Sequence, residues 1–258
     1  MFENYTNTRE KPECMEIDAR GIYYRELNSI LKDAVLRGIR HIKVTNVYGQ
    51  RYIGTNLNAR VILEIYGVPG NDLGAFMNQP EIIVHGNAQD GCGNTMNDGT
   101  IIIHGNAGDI TGLAARGGKI FIKGNVGYRA GIHMKEYGDR KPILVIGGTA
   151  QDFLGEYMAG GILILLGLNL KENEKHRPIF IGTGMHGGKI FIRGHIEPHQ
   201  VGKEVGIDEL NVQDNEILSR YVSEFAEHFN YGTQEILNSR FVKLYPKYLR
   251  PYGKLYAY

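Results

Sequence analysis

Residues 105–124 read Gly105-Asn106-Ala107-Gly108-Asp109-Ile110-Thr111-Gly112-Leu113-Ala114-Ala115-Arg116-Gly117-Gly118-Lys119-Ile120-Phe121-Ile122-Lys123-Gly124. A short β-branched and aromatic run, Ile120-Phe121-Ile122, sits between glycines. That pattern suits a brief buried strand and does not suit a helix. The phrase recurs along the chain. Gly67, Gly86, Gly105 and Gly124 are 19 residues apart. Equivalent apolar runs begin at Val61, Ile82, Ile101, Ile143, Ile162 and Ile190.

A second column comprises Gly54, Gly74, Gly93, Gly112, Gly131, Gly155 and Gly182, spaced 20, 19, 19, 19, 24 and 27. The two long steps contain insertions, one around Gly138-Asp139-Arg140-Lys141 and one from Leu168 to Pro178. Both read as surface loops pushed out of a regular coil, and as places where a partner would be met. A third column, Gly99, Gly118, Gly161 and Gly188, stands just before a strand. Glycine at three corners per coil provides sharp turns and lets stacked backbones approach closely.

The rest of the composition agrees. Of 258 residues 35 are Gly, and 27 of these lie within 67–194. With only 8 Pro the chain is neither collagen-like nor a disordered Pro/Gly tract. A period of about 19 excludes a six-residue β-helix beat, the Leu/Asn consensus of leucine-rich repeats is absent, and helical repeats would not tolerate this much glycine. What remains is an all-β fold, a right-handed single-stranded parallel β-helix of about seven coils. Two or three short strands per coil are expected, each paired with its equivalent about 4.8 Å away.

Stacking gives the other columns a meaning. Leu57, Met77, Met96, Ala115, Met134, Met158 and Met185 recur three residues after the second glycine. A methionine column raises the question of a soft-metal path. Because Leu57 and Ala115 substitute in it, the column reads as interior packing. Asn87, Asn106 and Asn125 form a ladder that can satisfy turn backbone. His85, His104 and Lys123 stack likewise, and Asp90, Asp109 and Asp152 make an acidic column.

Outside the repeat, Asp18 to Arg40 reads as a helix capping the open end, Asn215 to Phe229 as an amphipathic helix, and Gln234 to Phe241 as a third helix. Residues 241–258 hold five Tyr and Phe241 with Pro246 and Pro251, so this tail reads as extended and packed on its own domain or a partner. The resulting division is a helical cap (1–40), the β-helix (41–200) and a helical, Tyr-rich extension (201–258).

Candidate chemistry is sparse. Gly182-Thr-Gly184-Met-His-Gly187 spells GxGxxG, but a strand follows it where a dinucleotide site needs a helix. His85 and His104 could share a metal, and His195-Ile-Glu197-Pro-His199 resembles a ligand cluster. Pro198 rules out the helical HExxH geometry. The Asp column could supply acid and base to a carbohydrate-active enzyme, although Asp after a tight turn more often caps backbone amides. Cys14 and Cys92, the two cysteines, exclude a cysteine-held iron–sulfur cluster. A net charge of +1 gives no general attraction to nucleic acid or anionic membrane. The polar start and the absence of a long apolar run suggest a cytoplasmic protein.

Arg51-Tyr-Ile-Gly54-Thr-Asn-Leu57, Gly105 to Gly112 and Gly117 to Gly124 together resemble the GXGXG domain, the C-terminal β-helix of the glutamate synthase large subunit. They are also similar to the β-helical component of formylmethanofuran dehydrogenase. The resemblance covers about residues 41–195. It implies a non-catalytic assembly subunit packing against separate amidotransferase and flavin/iron–sulfur components that form glutamate from glutamine and 2-oxoglutarate. It also implies that FMN and iron–sulfur clusters reside on those partners. It carries no catalytic, cofactor-binding or metal residue onto this chain. Self-association through the solenoid ends is a further expectation.

Overall fold

The computed structural model describes residues 14–171 and 174–248. Among the described residues eleven strands form one sheet. They are β1 (Cys14–Asp18), β2 (His41–Tyr48), β3 (Ile62–Val68), β4 (Glu81–Val84), β5 (Thr100–Ile103), β6 (Lys119–Ile122), β7 (Ile143–Ile146), β8 (Ala159–Leu165), β9 (Gly187–Arg193), β10 (Val205–Asp208) and β11 (Phe241–Pro246). The spatial order is β1 to β9 in sequence, then β11, then β10. β1 to β9 pair in parallel, whereas β11 is antiparallel to both β9 and β10.

Consecutive parallel strands in one sheet define a parallel β-solenoid. Each coil carries a single strand and not two or three. The reason lies in the turn segment, where left-handed residues alternate with others. Around Gly131 the sequence Arg129, Gly131, His133 has φ of 57, 75 and 56°. A chain that flips hand every second residue cannot make a flat strand. Its amides still ladder between coils: Gly74, Gly93 and Gly112 donate back to Ile53, Leu73 and Cys92 oxygens at 2.7–2.8 Å, and Phe76 and Thr95 donate forward to Asn94 and Leu113.

The strand register sorts side chains by face. Leu63, Ile82, Ile101, Ile120, Leu144, Leu163 and Ile190 are aligned partners, all buried in the interior core. The five methionines of the repeat lie in that same core, which supports the packing reading. Cys92 is there too, its thiol pushed up to about 12 by burial, and so unsuited to nucleophilic chemistry. The turn glycines leave room for the interior. A Cβ at Gly54, Gly74 or Gly155 would lie 2.6–2.8 Å from the δ-methyl of Ile82, Ile101 or Ile190.

The opposite line, Glu64, Ile83, Ile102, Phe121, Val145, Ile164 and Phe191, points outward and turns from charged to apolar along the solenoid. Helix α2 (Val212–Phe229) covers the apolar part. Its Leu218, Val222, Phe225 and Phe229, spaced 4, 3 and 4, form a second core with Ile102 to Phe191. Burying such a side chain contributes about 2–3 kcal/mol. Asn211 and Asp214 form the N-terminal capping box, and Asn230 in the left-handed region ends the helix.

Helix α1 (Tyr24–Leu36) lies inside the span expected to be helical, and its Leu27, Leu31, Ala34 and Val35 join the interior core beside Ile17 and Ile42. β1 precedes it, so the sheet begins earlier than residue 41. Helix α3 is short (Thr233–Leu237), and Phe241 opens β11 instead of ending a helix. The tail beyond Tyr248, with Pro251 and the last three tyrosines, falls outside the described residues.

Candidate functional site

The acidic column is built into the coil. Asp90 Oδ1 accepts from the Asp109 amide at 2.9 Å, Asp109 Oδ1 from the Tyr128 amide at 2.8 Å, and Asp152 Oδ1 from the Ile179 amide at 2.9 Å. The asparagines behave alike: Asn87 Oδ1 takes the Asn106 amide at 2.8 Å, Asn106 the Asn125 amide at 2.8 Å, and Asn125 the Thr149 amide at 2.7 Å. Each rung is therefore pinned to the next by a side-chain oxygen on a main-chain donor, as turn Asp and Asn favour.

His85 and His104 stack at 5.3 Å between ring centroids, and Tyr66 continues the stack onto His85 at 4.3 Å. A carboxylate does adjoin them, which the columns do not reveal. Glu64 lies one coil before His85: its oxygens sit 2.6 Å from His41 Nε2, 3.3 Å from His85 Nε2, and 3.0 Å from the Tyr66 hydroxyl that donates to it. Burial raises the Glu64 pKa, but hydrogen bonds from His41, Tyr66 and His85 outweigh it and hold the carboxyl below its usual range. His104 is pushed down by burial and then by His85, Lys123 and His228. Phe229 meets its ring edge-on at 5.3 Å. The cluster is a hydrogen-bonded edge to the α2 docking face. Among the described residues no three His, Cys, Asp or Glu side chains converge to hold a metal ion.

Of the His195-Glu197-His199 group, His195 Nε2 is 3.3 Å from Glu197, which also pairs with Lys175 at 3.0 Å. Glu197 caps the short 3-10 turn at Pro198–Gln200, so the group is a turn and its bracing. After Gly182-x-Gly184 comes β9, so no helix N-terminus is presented to a phosphate.

Among the described residues three buried side-chain atoms lack a hydrogen-bond partner, Asn78 Oδ1, Thr183 Oγ1 and His176 Nδ1. His176, in the second insertion, is 4% exposed. Its Nε2–H donates to the Arg193 carbonyl at 2.9 Å, while Nδ1 has no partner among the described residues. Burial pushes the His176 pKa down, partly offset by that hydrogen bond, and the Arg193 charge adds to the depression. The unfolded chain therefore binds the proton more readily. Stability is expected to fall as pH drops through about 6.5 toward the lower folded value. His176→Gln, which keeps a donor, should lose less stability between pH 7 and pH 5 in urea titrations. An unchanged slope would contradict this role for His176.

These features define a class: a parallel solenoid whose turns alternate left-handed residues around a glycine. Gly91, Gly93, Gly182 and Gly184, two Gly-x-Gly pairs, all lie at positive φ. A model of the GXGXG motif matches residues 34–251, and the chain belongs to the GXGXG motif family. It is 51% identical to a protein of Methanocaldococcus jannaschii named Uncharacterized protein MJ1350, over 95% of this chain and 97% of that one. No helix among the described residues is long and apolar enough to cross a membrane.

Proposed function

We propose that this chain is a non-catalytic assembly subunit, a rigid β-helical spacer equivalent to the GXGXG domain of glutamate synthase. Its partners in this reading are a separate amidotransferase component, which releases ammonia from glutamine, and a flavin/iron–sulfur component, which uses that ammonia and two electrons from an external donor to reduce 2-oxoglutarate to glutamate. FMN and iron–sulfur clusters belong to the partners. The observation that carries the reading is the use made of the repeat's polar side chains. Asn87, Asn106, Asn125, Asp90, Asp109 and Asp152 all spend an oxygen on the amide of a neighbouring coil. That favours stiffness over turnover, and it weighs against the carbohydrate-active alternative, which needs two carboxyl groups free to exchange protons.

The test is co-expression with neighbouring amidotransferase-like and flavin-barrel-like proteins, followed by size-exclusion chromatography. Co-elution with both is expected. Elution apart from both overturns the proposal, and association with formylmethanofuran dehydrogenase components instead would move the chain to that complex.

A further inference from the structure

A cleft of about 280 Å³ opens between α1 and the first turn of the solenoid, lined from the helix by Tyr24, Arg25, Asn28 and Lys32 and from the turn by Tyr52 and Thr55. Arg25 and Lys32 are seven residues apart, two helical turns, and so share a face. Ser29 lies between them on that face. The cleft is built and not merely exposed. Asn28 Nδ2 donates to the Arg51 carbonyl at 2.9 Å and to the Tyr24 carbonyl at 2.7 Å, tying the helix to the turn. The Arg51 guanidinium lies over the Tyr24 ring at 5.1 Å and the Tyr52 ring at 5.9 Å. Arg25 Nε donates to the Tyr24 hydroxyl at 3.2 Å. Tyr52 is held in the left-handed region at φ 62°, a conformation that costs a bulky residue energy and persists where surrounding contacts enforce it.

The electrostatics are one-sided. Two cations, Arg25 and Lys32, line the cleft, a third, Arg51, lies over the rings of its Tyr24 and Tyr52, and no carboxylate lines it. Among the described residues none of the three forms an ion pair with Asp or Glu, although fourteen such pairs occur elsewhere. The Tyr24 hydroxyl is held below its usual range by the Arg25 hydrogen bond, then by Tyr23 and the charges of Arg25 and Arg51, as a positive local potential requires. Cations without a carboxylate partner are complementary to an oxyanion. The volume lies just below the range of ligand sites, about 300 to 1,000 Å³. It suits a compact metabolite and is small for a nucleotide.

We propose that this cleft binds a small organic dianion, a dicarboxylate or a phosphate monoester, between Arg25 and Lys32 of α1 and Arg51 of the first turn. The ligand's oxyanions take the guanidinium and ammonium donors, and its carbon skeleton lies against the tyrosine rings. The site is independent of the assembly role, and the failure of either proposal leaves the other standing.

The experiment titrates the full chain with succinate and, separately, with inorganic phosphate, followed by amide chemical shifts at constant ionic strength, with chloride as control. Saturable shifts at Tyr24, Tyr52 and Thr55 are expected. Tighter succinate binding identifies a dicarboxylate site, and tighter phosphate binding a phosphate-ester site. Arg25→Gln combined with Lys32→Gln, both on an exposed helix face, should weaken binding at least tenfold while circular dichroism is unchanged. Arg51→Gln should weaken it separately from the other wall. The proposal is overturned if neither probe saturates, if chloride reproduces the shifts, or if the double variant binds as the parent does.

Discussion

Replacing Asp214 by Ala is expected to remove roughly 3–5 kcal/mol of folding stability. Asp214 is fully buried at the third position of α2. Its Oδ1 takes Lys189 Nζ of β9 at 2.5 Å, and its Oδ2 takes Lys243 Nζ of β11 at 2.8 Å. Oδ2 also accepts the Asn211 amide at 3.2 Å. One carboxylate thus joins the start of the helix to two strands. Removing it leaves Lys243, itself 8% exposed, with only Asp208 at 4.0 Å as a carboxylate partner and breaks the capping box. Burial raises the Asp214 pKa, but Lys189, Lys243 and the Asn211 amide together hold it below the usual carboxylate range. Its contribution is therefore complete above the unfolded value and is lost as pH falls through the folded one. Asp214→Asn, which keeps the shape, should cost less than Asp214→Ala. Urea unfolding at pH 7 measures both, and a loss under about 1 kcal/mol for the alanine variant would contradict this role.

The second large effect is at a corner of the coil. Gly161→Ala is expected to cost about 3 kcal/mol, from a left-handed backbone and a backbone clash together. Gly161 has φ +87°, and a Cβ there would lie 2.6 Å from the Pro142 carbonyl oxygen and 2.7 Å from Pro142 Cγ. Neither neighbour can move without displacing the adjacent rung. Gly21→Ala is the control: φ is +73° with nothing within 4 Å, so only the conformational cost of about 1 kcal/mol applies. For a chain of this size the gap of about 2 kcal/mol is about 4–8 °C in melting temperature. Equal melting shifts for the two variants would show that coil-to-coil approach at Gly161 is not tight.

The coil is legible in the sequence because its physics is periodic. A fixed spacing of glycines and of apolar triplets forces stacking, and Met77 or Met158 then has nowhere to go but inside. The strand count is not legible, because Phe153 and Tyr157 occupy left-handed positions at φ 63 and 52°, where composition argues for glycine. The docking of α2 on the sheet's outer face leaves a trace in the pattern. Phe121, Val145, Ile164 and Phe191 are outward in register yet apolar, whereas Lys43 and Glu64 on the same line stay polar. The Asp214–Lys189–Lys243 junction joins residues far apart in sequence and obeys no repeat. Glu64 beside His85 is hidden for a different reason: it sits at another position of a neighbouring coil, outside the histidine column.

The polar columns and the covered outer face describe a stiff body, and the central claim is that this body couples two catalytic components. The direct measurement is conversion of isotope-labelled 2-oxoglutarate to glutamate, with glutamine as the nitrogen source and an added two-electron donor, by the amidotransferase-like and flavin-barrel-like proteins, purified separately and mixed with and without this chain. Coupled synthesis only when the chain is present, and none from the chain alone, is the predicted result. Equal coupling without the chain would contradict the claim.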